Sequence, residues 1–256
     1  MFSRGLATKL PYTCAVLTLS LDTSSVSGSL AVLRDETLLG VISTHSEENY
    51  SSRMFRHLDF LLADLSFHLH DFDLFSVAAG PGSFTGLRIG LTAAKAWAEV
   101  YNKPVVGVSA LEAVATQAFP EKNSASNLLI IPVLDARRGQ IYSASYQASG
   151  SRLLLVGDQA VMTSAELLSE IQRRSPGASV IIATPEPQLI SEAMSRFENS
   201  MPSNPPLALH AVSGVLAPAI GRLGYAAIHR GEFSDALTLD ANYIRRSDAE
   251  LQLKAT

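Results

Sequence analysis

At 256 residues, 47% hydrophobic and 17% charged, the chain is long enough for a real core and too apolar to be disordered. Its net charge of −4, with no Lys/Arg run longer than a pair, argues against a protein that grips nucleic acid by its own basic face. The single cysteine, Cys14, rules out an internal disulfide and fits a reducing cytoplasm, and no apolar run approaches the ~18 residues of a membrane span.

Residues 1–14 include Arg4 and Lys9 but lack the apolar middle of a signal peptide, and are expected to form a disordered extension. A buried-strand pattern over 15–22 ends in Asp22. Strands over 27–33 and 37–43 follow, joined by the turn Arg34-Asp35-Glu36. Helical periodicity predicts a helix over 51–69, then a strand over 74–79 entering Gly80-Pro81-Gly82-Ser83. A helix over 85–100 and a strand over 105–108 complete the unit.

The second half repeats this order. An apolar strand over 128–135 ends in Asp135, and strands over 140–147 and 152–157 come next. A helix over 163–173 starts at a Thr/Ser cap with Glu166 in its first turn. A strand over 180–183, a proline-opened helix over 185–197 and a last helix over 212–229 finish it, with Pro-rich 201–206 read as a loop. Two βββαβα units predict an α/β, duplicated, two-lobed architecture of the actin, sugar-kinase and Hsp70 group, a ribonuclease H-like ATPase fold. The lobes are expected over 15–109 and 110–230, with the last helix free to pack back on the first lobe and a tail over 231–256.

Three places carry candidate chemistry. Asp22, Thr23 and Ser24 stand where actin-like folds put a carboxylate and hydroxyls near phosphate and its metal, but the same residues also close turns. Asp135-Ala136-Arg137 has two readings as well, an anion contact through Arg137 or a structural pair. The loop from Gly80 to Arg88 could cradle an anion with Gly80 and Gly82, though it matches neither the P-loop nor the dinucleotide spacing. Gly82, Gly86, Gly90, Ala94 and Ala98 instead draw a small-residue stripe that lets another backbone come close.

On the helix over 51–69, Met54, Leu58, Leu61, Leu62, Leu65 and Leu69 form the expected core stripe. Phe60, Ala63 and Phe67 fall on the other side, either to meet a partner or to be covered by this chain. Of six histidines only His68 and His70 are close, and on a helix they would point apart. No metal or catalytic residue is expected.

Leu21-Asp22-Thr23-Ser24, the run from Ala79 to Gly90, Gly107-Val108-Ser109-Ala110-Leu111-Glu112, Asp135-Ala136-Arg137 and Tyr243-Ile244-Arg245 stand in the order found in the TsaB (YeaZ) family. The sequence resembles that family over about residues 17–250, departing from it at Ala241, where proline is common. The resemblance implies a non-catalytic partner of the metal-dependent transferase TsaD. That relative carries a Gly-Val-Asn-His-Leu-Glu-Gly-His stretch, and its two metal-binding histidines correspond to Ala110 and Val114 here. It also implies action with the ATPase TsaE in forming threonylcarbamoyladenosine beside the anticodon of tRNA. A homodimer through the two helices of the first lobe is implied, with tRNA reached only through the complex and no membrane contact. No tightly bound cofactor is implied, and nucleotide binding stays open. The alternatives are an independent actin-like ATPase or small-molecule kinase using Asp22, Thr23 and the glycine loop, a peptidase, and a regulatory module with another partner.

Overall fold

The computed structural model describes residues 15–45, 50–120, 128–150, 152–174, 177–200 and 207–244. The N-terminal extension with Cys14, the Pro-rich segment and the tail from residue 245 lie outside them.

The first sheet takes β1 (Leu17–Asp22), β2 (Ser27–Arg34), β3 (Thr37–His45), β4 (Leu74–Gly80) and β5 (Val105–Ser109) in the order β3-β2-β1-β4-β5. The first three pair antiparallel, and β1, β4 and β5 run parallel. Every residue of β1 is buried, whereas the edge strand β3 alternates between half-buried and exposed. Helices α1 (Tyr50–Leu65) and α2 (Phe84–Tyr101) belong to this lobe. Met54, Leu58, Leu61 and Leu62 enter the core from α1, as their spacing predicts.

The helix predicted to reach residue 69 ends at Leu65. Ser66 turns left-handed (φ 57), and the amides of Ser66 and Phe67 return to the carbonyls of Ala63 and Leu62. Phe67 therefore leaves the outer side of α1 and packs half-buried against the core, its ring 6.1 Å from that of Phe72. Leu69 starts a separate 3-10 turn, Leu69–Asp71.

The second sheet repeats the plan. Its path is β10 (Ala160–Met162), β7 (Ile141–Ser143), β6 (Leu128–Asp135), β11 (Ser179–Thr184) and β12 (Leu207–Ala211), with the same parallel and antiparallel pairings as the first. The strand expected over 140–147 is split. β7 continues to β10, while β8 (Tyr146–Ser149) pairs β6 lower down and carries β9 (Arg152–Leu155) outward. The break falls where the Ser145 carbonyl turns away to accept the Val156 amide at 2.7 Å.

Helix α4 (Ser164–Arg174) opens with the expected box: Thr163 donates to Glu166 through its amide and hydroxyl, and its hydroxyl accepts the Glu166 amide. The proline-led helix is first a 3-10 turn, Pro187–Leu189, and then α5 (Ser191–Ser200). The last helix, α6 (Ala217–His229), begins five residues later than its periodicity suggests. The Ser213 hydroxyl accepts the Val215 amide and holds that stretch in a turn, and Pro218 fits the first helical turn.

A further helix, α3 (Ala110–Gln117), follows β5 directly, capped by Ser109 accepting the Glu112 amide. It packs on β6 and β11 of the second sheet, while α6 returns to lie across β1, β2, β4 and β5 of the first. The contact of α6 is fixed at its start: Ser20 donates to the Ala217 carbonyl at 2.7 Å and Ser29 accepts the Ala217 amide at 3.1 Å. One apolar core runs through both lobes, from Leu19, Phe75 and Trp97 to Val114 and Ile130. A smaller one lies behind β6 and β11 under α4 and α5.

Candidate functional site

Where β1 ends, the chain folds over itself. Asp22 Oδ1 accepts the Ser24 amide at 2.8 Å and the Ser24 hydroxyl at 2.6 Å. The Thr23 hydroxyl donates to the Gly86 carbonyl at 2.7 Å, and the Ser83 amide donates to the Ser24 carbonyl at 2.7 Å. Asp22, Thr23 and Ser24 are all buried. Burial pushes the Asp22 carboxyl above the usual carboxylate range, against the smaller lowering effect of its two bonds from Ser24. Its second oxygen, Oδ2, has no hydrogen-bond partner among the described residues.

The small-residue stripe makes this closure possible. A Cβ on Gly86 would stand 1.9 Å from the Thr23 carbonyl oxygen, and Ala94 is fully buried. The close backbone that the stripe admits is thus the end of β1 in the same chain. Gly86, Gly90 and Ala94, expected at a partner interface, are interior residues, because long-range packing of α2 on β4 and on the turn after β1 covers them. Gly80 has φ 121, and a Cβ there would meet the Asn242 carbonyl oxygen at 2.5 Å. It makes way for the C-terminal segment of this chain.

The matching end of β6 is open. Asp135 Oδ1 accepts the Arg137 amide at 2.7 Å and its Oδ2 lies 3.6 Å from the exposed Arg137 guanidinium, so the pair is made within the turn. The turn after β1, at Thr23 and Ser24, and the end of β6, at Asp135, border a cleft of about 620 Å³ between the lobes, which also takes in Ser27, His45, Arg53 and Glu186. Ser27 and His45 pair at 2.9 Å. A nucleotide with its metal, as the fold group would place it, needs the carboxylate and hydroxyls of 22–24 facing that space. Asp22 does not border the cleft, and the hydroxyls of Thr23 and Ser24 are spent on Gly86 and Asp22. These residues do not fit that group.

A different surface is prominent on the first lobe. Between α1 and α2 lies a mostly apolar groove of about 620 Å³, lined by Met54, Phe55, Phe84, Arg88, Ile89 and Trp97. Phe60 is 66% exposed and Phe55 50%, and Ala63 is exposed on the same helix. Phe55, Phe84, Arg88 and Trp97 do not follow from the glycine periodicity. Phe84 and Arg88, and Trp97 with Ile89, lie on two other fourfold rows of α2, 84-88-92-96 and 85-89-93-97, which was the available signal, while Phe55 comes from α1.

His68 caps and His70 sits within the 3-10 turn Leu69–Asp71, beyond the end of α1, and their rings stack at 5.3 Å with Asp71 beside both. Among the described residues this is the only trio of donors close enough for a metal ion. The side chains of His68 and His70 are 76% and 67% exposed, and Asp71 is engaged by the His68 amide at 2.7 Å, so packing does not hold the rings toward an ion. Ala110 and Val114, on α3, are fully buried among apolar neighbours. Among the described residues no helix is long and apolar enough to cross a membrane.

Residues 29–198 match the protein family described as TsaD, tRNA N6-adenosine threonylcarbamoyltransferase. The chain is 37% identical over 158 residues to the tRNA threonylcarbamoyladenosine biosynthesis protein TsaB of Bacillus subtilis, covering 60% of this chain and 67% of that protein. Among solved structures, YeaZ from Pseudomonas aeruginosa superposes with a TM-score of 0.67 at 24% identity, over 89% of this chain and 99% of that one. The ROK hexokinase of Thermus thermophilus superposes at 0.50 and 11%, over 83% and 100%, a likeness of fold. Together with the two sheets of common order, these place the architecture in the two-lobed actin-like group.

Proposed function

The chain belongs to the TsaB (YeaZ) family, and on that premise we propose that it serves threonylcarbamoyladenosine formation in tRNA as the non-catalytic partner of a TsaD-type transferase. The observation that carries this reading is α3. Where the catalytic relative bears its two metal-binding histidines, Ala110 and Val114 are apolar and sealed in the core. The sealed end of β1 supports it further, since Asp22 and Ser24 are bonded to each other and the Thr23 hydroxyl to Gly86. The chain then contributes binding, with an ATPase of the TsaE type completing the cytoplasmic assembly and tRNA held by its partners.

The apolar groove between α1 and α2 is the face for the catalytic subunit, and for a second copy of the chain when it is alone. Phe55→Asp, at a half-exposed wall of that groove, is expected to weaken that association by about 2 kcal/mol, roughly thirtyfold, while melting as the parent does. Phe67→Asp is expected instead to destabilise the fold by about 2–3 kcal/mol, since Phe67 rests on Phe72 and the core. Analytical ultracentrifugation and thermal melts of the two variants separate these outcomes.

The role itself is tested by reconstitution with the TsaD-type and TsaE-type proteins, ATP, tRNA and threonylcarbamoyl-adenylate, omitting one component at a time. Modification should require this chain and should fail with this chain alone. Full modification without it would remove the proposed role, and transfer by it alone would reveal an active site.

A further inference from the structure

Residues 234–244 cross the first lobe and then touch the second. Ser234 pairs with Val105 at the edge of β5, and Asp235 caps the following turn through the Leu237 and Thr238 amides. Leu239 is buried, with its carbonyl accepting from Lys95 Nζ at 2.9 Å. The Asn242 amide donates to the Ala79 carbonyl at 2.7 Å, in the space that Gly80 leaves open. From the same residue, Nδ2 donates to Gln159 Oε1 at 3.0 Å, just ahead of β10 in the second lobe. Gln159 in turn donates to the Ser109 hydroxyl at 3.2 Å, at the point where the chain passes from β5 into α3. One residue further on, Tyr243 lies against Phe84 with ring centroids 4.9 Å apart. Its hydroxyl accepts from Arg88 Nε at 3.3 Å, and the Arg88 guanidinium sits 3.9 Å over the Phe84 ring. Phe84 and Arg88 are also walls of the apolar groove.

We propose that residues 239–244 form a strap through which occupation of the α1–α2 groove sets the angle between the lobes. Two neighbours do opposite jobs: Tyr243 is held by groove residues, and Asn242 holds the second lobe through Gln159. A body closing on Phe84 and Arg88 restrains Tyr243, fixes Asn242 and keeps the Gln159 bond made. When Tyr243 lets go, Asn242 keeps only its amide bond to Ala79, its side chain is less well aimed at Gln159, and the second lobe is held more loosely. The partner half of this inference rests on the groove being the face for the catalytic subunit; the strap half does not.

Spin labels at Glu99→Cys on α2 and Arg173→Cys on α4, in a Cys14→Ser chain, report the interlobe distance by pulsed electron resonance. Gln159→Ala should raise the more open population several-fold, as expected for loss of its hydrogen bonds to Asn242 and Ser109. Tyr243→Ala should act in the same direction although it touches only the first lobe, Tyr243→Phe should have a smaller effect, and the Gln159→Ala, Tyr243→Ala double variant should go no further than Gln159→Ala alone, which also removes the bond to Ser109. A Tyr243→Ala distance distribution identical to that of the parent overturns the strap. Added TsaD-type subunit should narrow the distribution of the parent and not that of Tyr243→Ala; bound subunit that leaves the parent unchanged overturns the coupling. A subunit that fails to bind counts against the functional reading, and the isolated chain still decides the strap.

Discussion

The ends of β1 and β6, each with its following turn, occupy matching places in two sheets of the same order and border the same cleft, yet they are built in opposite senses. At Asp22 every group turns inward: the carboxylate takes both donors of Ser24, and the Thr23 hydroxyl goes to α2. At Asp135 the turn stands in solvent on three successive left-handed residues, Arg137, Arg138 and Gly139 (φ 64, 58 and 71). What lies overhead decides this. Gly86 brings α2 against the first turn, whereas a Cβ on Gly139 would meet nothing within 4 Å. In a duplicated fold, topology sets where a strand ends, and the neighbouring helix decides whether that end is available to a ligand.

The sharpest way to break this contrast is to add one methyl group to each turn. Gly86→Ala drives a Cβ into the Thr23 carbonyl and should cost about 3 kcal/mol or prevent folding. Gly139→Ala pushes on nothing and should cost only the left-handed strain, about 1 kcal/mol. Chemical denaturation of both variants measures the difference, and equal losses would mean that α2 does not close the first turn.

A smaller effect comes from charge. The folded state raises the Asp22 pKa, so between the ordinary aspartate value and the raised one it binds more protons than the unfolded chain. The contribution of Asp22 is therefore fully present below the ordinary value and is lost as pH rises through the folded value. Asp22→Asn should remove that downward slope and add about 1 kcal/mol near neutral pH. Asp135→Asn, at an exposed pair, should change stability by less than about 0.5 kcal/mol. Stability measured against pH for parent and variants checks both signs.

How much of this the sequence carried depends on the range of the forces involved. The bounds of β6, the box at Thr163 and Glu166, and the core side of α1 were legible because each is written in neighbouring residues. The fate of Asp22 was not, since it turns on Gly86, whose carbonyl is met from 63 positions away. The glycine spacing announced a close approach without saying to what, and the answer was this chain's own turn. Phe67 was misplaced by a single left-handed residue, Ser66, with no glycine there to signal it. Helix α3 passed unseen because eight residues offer too few turns for periodicity to declare itself. The split of 140–147 needed knowledge of which strands lie beside it.

The exchange of α3 and α6 has a consequence for how the molecule is made. The sheet finished at Ser109 waits for a helix that ends at His229, which at ordinary ribosomal speeds is on the order of ten seconds of synthesis. Until then the face of β1, β2, β4 and β5 that α6 covers has no lid, and β6 and β11 already claim α3. The nascent chain is thus most adhesive in mid-translation, and among the described elements the last helix to emerge seals the first sheet to be built.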